Sequence, residues 1–367
     1  LEACVASGAR RAEPGEFTRR AYLNGKMDLV QAEAVLDLVG GRSRALHEAA
    51  VHQIERGLSR RLDELREAIL EIEALLVHHI DFPEEDDPPA STGQIAARAR
   101  LLVEGLARLP ETAPEGELLR DGALTVLAGV PNAGKSSLFN ALLGRERAIV
   151  TEVAGTTRDA VESVVSLGGF PFRLVDTAGL RRGGERVESL GIEVARRYLA
   201  RADLILFCAE WGRELTPEEE AFLDEERDAP VVLVRTKADE QGAGGASASG
   251  EGAPEGEDGV PGGPVAVSTV TGRGLAGLRA LLPRLVFRGL VSAEGEAPLL
   301  TRARQARGVD RAREEIEAFA GALESGVPPE LAATHLGSAE TALEEVLGVV
   351  VRDEVLDRVF REFCVGK

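Results

Sequence analysis

Residues 129–136 read GVPNAGKS, between the apolar run ALTVLA and the helix-forming KSSLFNALL. The spacing G-x-x-x-x-G-K-[ST], after a strand and opening a helix, is that of a phosphate-binding loop. Such a loop needs small residues so that backbone N–H groups can turn toward phosphate oxygens. It also needs a buried strand on one side and a helix on the other, which restricts the fold to α/β. Within it, Asn132, Ala133, Gly134, Lys135, Ser136 and Ser137 are expected to surround the nucleotide. Lys135 offers a compact ammonium to the β- and γ-oxygens, a role the planar fork of arginine fits poorly. The Ser136 hydroxyl suits Mg2+, which prefers hard oxygen donors.

Further short apolar strands follow in FRLVDTAG, ADLILFCAE, PVVLVRTKAD and PVAVST, alternating with helices. That order predicts a mostly parallel sheet. On either side the text is helical. DLVQAEAVLDLV and LSRRLDELREAILEIEALL carry apolar residues three and four apart, and helical patterning returns after about residue 285. The fold class expected is an α/β P-loop GTPase domain inserted into an all-α helical domain. Its expected divisions are 1–24 as the end of a preceding domain and linker, 25–118 helical, 119–285 the α/β domain, and 286–367 helical again. The start at Leu1 without methionine reads as the middle of a longer protein. Segment 240–263, rich in Gly, Ala, Ser and Glu with one β-branched residue, is expected to be a disordered insert without chemistry.

Four more elements stand in the order that GTP recognition requires. GTTRD (155–159) supplies Thr157, a hydroxyl able to ligate Mg2+. DTAG (176–179) supplies Asp176 for the metal shell, Thr177 and Ala178, and Gly179 as a sensor of the γ-phosphate. TKAD (236–239) comprises Thr236, Lys237, Ala238 and Asp239; the Asp239 carboxylate accepts from guanine N1 and N2, and the Lys237 stem packs along the base. Ser268, Thr269 and Val270 close over guanine O6. Thr236 stands where the common motif has asparagine, so one amide contact is replaced by a hydroxyl.

The bulk properties exclude other classes. A net charge of −19 argues against a broad electrostatic grip on nucleic acid while leaving room for a local basic patch. Cys4, Cys208 and Cys364 have neither metal nor disulfide spacing, which suits a reducing cytoplasm. Apolar runs fall short of a membrane span. Only four lysines stand among 43 basic residues, and two of them, Lys135 and Lys237, are already accounted for.

The stretches GVPNAGKSSLFNAL, AIVTEVAGTTRD and DTAGLR resemble the GTPase class that includes Era and MnmE. PGEFTRRAYLNGKMDLVQAEAV near the start and LDRVFREFCVGK at the end resemble the MnmE (TrmE) family of tRNA uridine-5-carboxymethylaminomethyl modification GTPases. The resemblance implies a homodimer in the full-length protein, with α/β domains pairing in the GTP state. It also implies work on the wobble uridine of tRNA with MnmG, an FAD protein, and a tetrahydrofolate derivative bound mainly by a preceding domain. Lys26 and Lys367 match folate-contacting positions, and Cys364 a catalytic one. From the residues alone, Cys364 reads equally as a small hydrophobe against a helix. Asn132 matches a K+ ligand, and TEVAGTT (Thr151, Glu152, Val153, Ala154, Gly155, Thr156 and Thr157) matches the K+-binding loop, with Thr151, Val153 and Thr156 supplying oxygens. Glu188 matches the residue that polarises the attacking water; on its own it reads also as a solvated acid. The alternatives are an Era-type ribosome-assembly switch and an interaction module timed by GTP. The basic stretch TRARQARGVDRAR (301–313) stands as either a tRNA contact or a solvated face.

Overall fold

The computed structural model describes residues 2–82, 89–144, 162–176, 194–239, 263–292, 300–351 and 353–363. The chain divides into two compact units. One comprises Leu1–Gly41, Ala45–Arg120 and Glu296–Lys367; the other comprises Arg42–Arg44 and Asp121–Gly295.

In the first unit the short α1 (Glu2–Ala6) and α2 (Glu16–Leu23) precede α3 (Leu29–Gly40). Asp28 starts α3 through a capping box: the Gln31 amide N–H donates to Asp28 Oδ1 at 2.8 Å, and the Gln31 side chain accepts from Asp28 N at 3.1 Å. The continuous helical text from residue 27 onward breaks into three helices: α3, then α4 (Arg44–Ile54) and α5 (Gly57–Asp81). Arg56, at φ 68°, turns the chain between α4 and α5. After α6 (Thr92–Ala107) and α7 (Ala113–Asp121) the chain enters the second unit, and it returns in α13 (Ala303–Glu324), α14 (Pro329–Leu347) and α15 (Asp353–Arg361). Helices α5, α6, α13 and α14 pack around one apolar core in which Leu62, Ile69, Leu106, Ile316, Phe319 and Leu336 are fully buried. Each such side chain contributes roughly 1.5–3 kcal/mol of burial.

α15 belongs to a second cluster. Leu356, Phe360 and Phe363 pack with Leu29 and Ala32 of α3, and Tyr22 and Met27 lie against them. The Tyr22 hydroxyl donates to the Gly348 carbonyl at 2.5 Å, fastening α2 to the end of α14.

The basic stretch 301–313 is neither a solvated face nor a free contact surface at its start. Arg302 reaches Asp37 at 2.5 Å and Arg304 reaches Glu33 at 3.0 Å, both acids on α3 and both buried. Gln305, fully buried, also donates to Glu33. Burial, against the pull of Arg302, raises the Asp37 carboxyl to about 6. Further along, Arg311 pairs with Glu345 and Arg313 with Glu317.

The second unit is built on a six-stranded sheet in the order β2-β3-β1-β4-β5-β6. β1 (Ala123–Ala128), β3 (Phe170–Asp176), β4 (Leu204–Glu210), β5 (Val231–Thr236) and β6 (Val265–Ala266) run parallel. β1 is buried at every position, as a strand covered on both faces must be. β2 (Glu162–Leu167), absent from the sequence reading, pairs antiparallel with β3 at the edge. Gly168 and Gly169, at φ 59° and 88°, make the two-residue hairpin turn that joins them. α8 (Lys135–Leu143), α9 (194–200), α10 (Pro217–Asp224), α11 (Leu275–Val286) and α12 (Arg288–Ser292) complete the described elements of the unit. Among the described residues no helix is long and apolar enough to cross a membrane.

Candidate nucleotide site

The chain leaves β1 for β3 on one side and later takes β4 on the other. The loop after β1 therefore sits at the switch point of the sheet, where a crevice opens beyond the strand ends. Residues 129–134 fill that place. Gly129 has φ 128°, and a Cβ there would stand 2.2 Å from the Cys208 carbonyl oxygen, so only glycine lets the loop lie this close to β4. Asn132 holds φ 65°, a conformation asparagine tolerates better than most residues. Gly134, at φ 78°, is the N-cap of α8 and puts no side-chain cap on its first turn, the end of a helix that favours an anion.

Lys135 is 5% exposed, and its ammonium donates to the carbonyls of Gly129 (2.8 Å) and Val130 (2.7 Å). It is thus folded over the loop it serves. The Ser136 hydroxyl donates to Asp176 Oδ2 at 2.6 Å, with Asp176 at the carboxyl end of β3 and 8% exposed. A hydroxyl and a carboxylate in contact, both hard oxygen donors, fit Mg2+ with Ser136 as ligand and Asp176 in its shell.

β5 ends beside this loop. Thr236 is 2% exposed, and its hydroxyl stands 2.9 Å from the Ala133 carbonyl and 3.3 Å from that of Ala209. The hydroxyl standing in place of asparagine therefore does tie the two motifs together. Lys237, at φ 56°, carries its ammonium to the Glu210 carboxylate. Ala238 N donates to the Val267 carbonyl at 3.1 Å, and Asp239 is exposed at the end of this turn. Ser268 is fully buried, and its hydroxyl oxygen accepts from the amides of Val270 and Thr271. Its side chain holds the turn, while Val270 is 82% exposed.

Glu210 is a member of this site that the sequence reading missed; its pairing with Lys237 spans 27 positions. Cys208 is core, and burial pushes its thiol up to about 12. Lys26 is exposed in the turn between α2 and α3. Thr151, Glu152, Val153, Ala154, Gly155, Thr156, Thr157, Thr177, Ala178, Gly179, Glu188, Cys364 and Lys367, with most of the 240–263 insert, lie outside the described residues.

The family model of the MnmE helical domain matches residues 29–364. The tRNA modification GTPase MnmE of Moorella thermoacetica is 39% identical over 378 residues, covering all of this chain and 78% of that protein. Its counterpart in Aquifex aeolicus is 38% identical over 368 residues, covering all of this chain and 79% of that protein. Among solved structures, the G domain of the T. maritima FeoB iron transporter is 30% identical, covering 43% of this chain and 95% of that one, at a TM-score of 0.27. On the match of the family model and of relatives aligned along its whole length, the chain belongs to the MnmE family, GTPases that act in tRNA modification.

Proposed function

We propose that this chain hydrolyses GTP in a K+-dependent manner. With MnmG, an FAD-containing partner, it drives carboxymethylaminomethyl or aminomethyl modification of the wobble uridine of tRNA. In this reading Lys135 leaves the carbonyls of Gly129 and Val130 for the β- and γ-oxygens, and the N–H groups at the start of α8 hold the same phosphates. Ser136 and Thr157 hold Mg2+, with Asp176 behind Ser136. Asn132, Thr151, Val153 and Thr156 hold K+. When bound, the two cations offset charge on the transferring phosphoryl group, as an arginine finger does elsewhere. Glu188 orients and polarises the attacking water. Asp239 selects guanine, and Lys237, released by Glu210, covers the base. The α/β units pair in the GTP state within a homodimer.

The one-carbon chemistry belongs to the helical unit. The observation that carries it is the cluster under α15, where Phe363, 5% exposed, and Met27 pack in one apolar group. Phe363 precedes Cys364, and Met27 follows Lys26. The segments bearing the proposed thiol and the proposed folate contact are thereby tied to one small core. Lys26 and Lys367, both cationic, suit the carboxylates of a tetrahydrofolate derivative.

The test is Cys364→Ser in the full-length protein with its partner. Loss of tRNA modification with GTP hydrolysis near normal supports the assignment; intact modification removes the thiol from the chemistry.

A further inference from the structure

The helical unit carries a cleft of about 510 Å3 that none of these roles uses. One wall is a single face of α2, where Glu16, Arg19, Arg20 and Leu23 recur three and four apart. The other is a face of α15 with Asp357, Phe360 and Arg361, and Arg10 closes one side. Four guanidiniums on one cleft run against the mean field of a chain with net charge −19.

Of the three carboxylates in the cleft, Glu13, Glu16 and Asp357, the last two hold arginines in place. Glu16 takes Arg10 through both nitrogens at 2.7 Å and Arg20 at 2.9 Å; the Arg10 hydrogen bonds lower its carboxyl to about 2. Arg19 meets Asp357 at 3.2 Å, both side chains being over two-fifths exposed. Solvent screens a pair this exposed, so a stronger anion displaces it readily. A guanidinium fork matches phosphate oxygens in pairs. Leu23, 64% exposed, adds apolar surface beside the charges.

The cleft's position gives it meaning. Leu23 stands three residues before Lys26, and Arg361 three before Cys364. Three residues of chain span at most about 11 Å. Along the chain, each wall therefore lies within three residues of one of the two groups assigned above to the one-carbon chemistry.

We propose that this cleft holds backbone phosphates of the RNA strand flanking the uridine under modification, with Arg19 and Arg361 as the phosphate-binding groups. The proposal rests on the reading of Cys364 and Lys26 given above.

The experiment titrates a synthetic anticodon stem-loop RNA, with an unmodified wobble uridine, onto the full-length protein across a series of KCl concentrations. Arg19→Gln and Arg361→Gln should each lower the slope of log affinity against log salt by about 1 and weaken binding roughly 3- to 10-fold, with melting temperatures unchanged. An unchanged slope in the double variant, or a parent protein that binds no RNA, overturns the proposal. A photo-crosslinking residue at position 23 should link to the anticodon loop; crosslinks confined to the stem overturn it equally. If Cys364→Ser leaves modification intact, the one-carbon reading fails, whatever the slopes do. If that variant is inactive and the slopes do not move, the cleft proposal alone fails.

Discussion

The Thr236 hydroxyl stands 2.9 Å from the carbonyl oxygen of Ala133, joining the end of β5 to the phosphate loop. A second carbonyl, that of Ala209, lies 3.3 Å from the same hydroxyl. One O–H can donate to only one of them at a time. Thr236→Val keeps the shape and removes the donor, leaving the buried carbonyl it served without it. A loss of this kind costs about 1–2 kcal/mol. GTP binding measured by calorimetry should weaken roughly 5- to 30-fold. Thr236→Asn supplies two N–H donors and should bind at least as tightly as the parent.

Asp239 is exposed at the end of the same turn, with Ala238 N held to Val267 O behind it. In the function proposed above, its carboxylate accepts from two donors on guanine. Asp239→Asn turns one acceptor into a donor, which suits a purine bearing a carbonyl at that edge. Competition binding should show preference moving from GTP to XTP, and an unchanged preference for GTP would remove Asp239 from base recognition.

Asp37 gives the helical unit a pH dependence of defined sign. Its carboxyl is raised to about 6 from the ordinary 3.8 of an aspartate, with burial the main cause. Between these values the folded chain binds the proton and the unfolded chain does not. The Asp37 contribution therefore makes the fold more stable as pH falls through this window and less stable as pH rises. From pH 7.5 to pH 5 the gain is about 1 kcal/mol. In Asp37→Asn that gain disappears, so chemical denaturation should find the parent improving relative to the variant by this amount on acidification. Equal pH dependence in both proteins would contradict the assignment.

What could be read from the sequence follows from distance along the chain. The phosphate loop is eight consecutive residues with fixed spacing, so strand, turn and helix are visible together. β2 was missed for a reason: it is an edge strand whose residues are half-exposed in part, lacking the continuous apolar run used to find the others. The Gly168-Gly169 pair before Phe170 was its legible signal. The buried ions were beyond reach. Arg302 and Asp37 lie 265 positions apart, and nothing local distinguishes Arg302 from the exposed arginines of the same helix. The charges of 301–313 were visible, while the acids awaiting them on α3 were not.

The cation-assisted hydrolysis proposed for this chain is tested most directly by measuring GTP hydrolysis with Mg2+ in KCl and in NaCl at equal ionic strength. Strong activation by K+ alone is the predicted result, because Asn132 and residues 151–157 are assigned to a site for that ion. Equal rates in the two salts would leave a GTPase of the MnmE family and contradict the potassium mechanism.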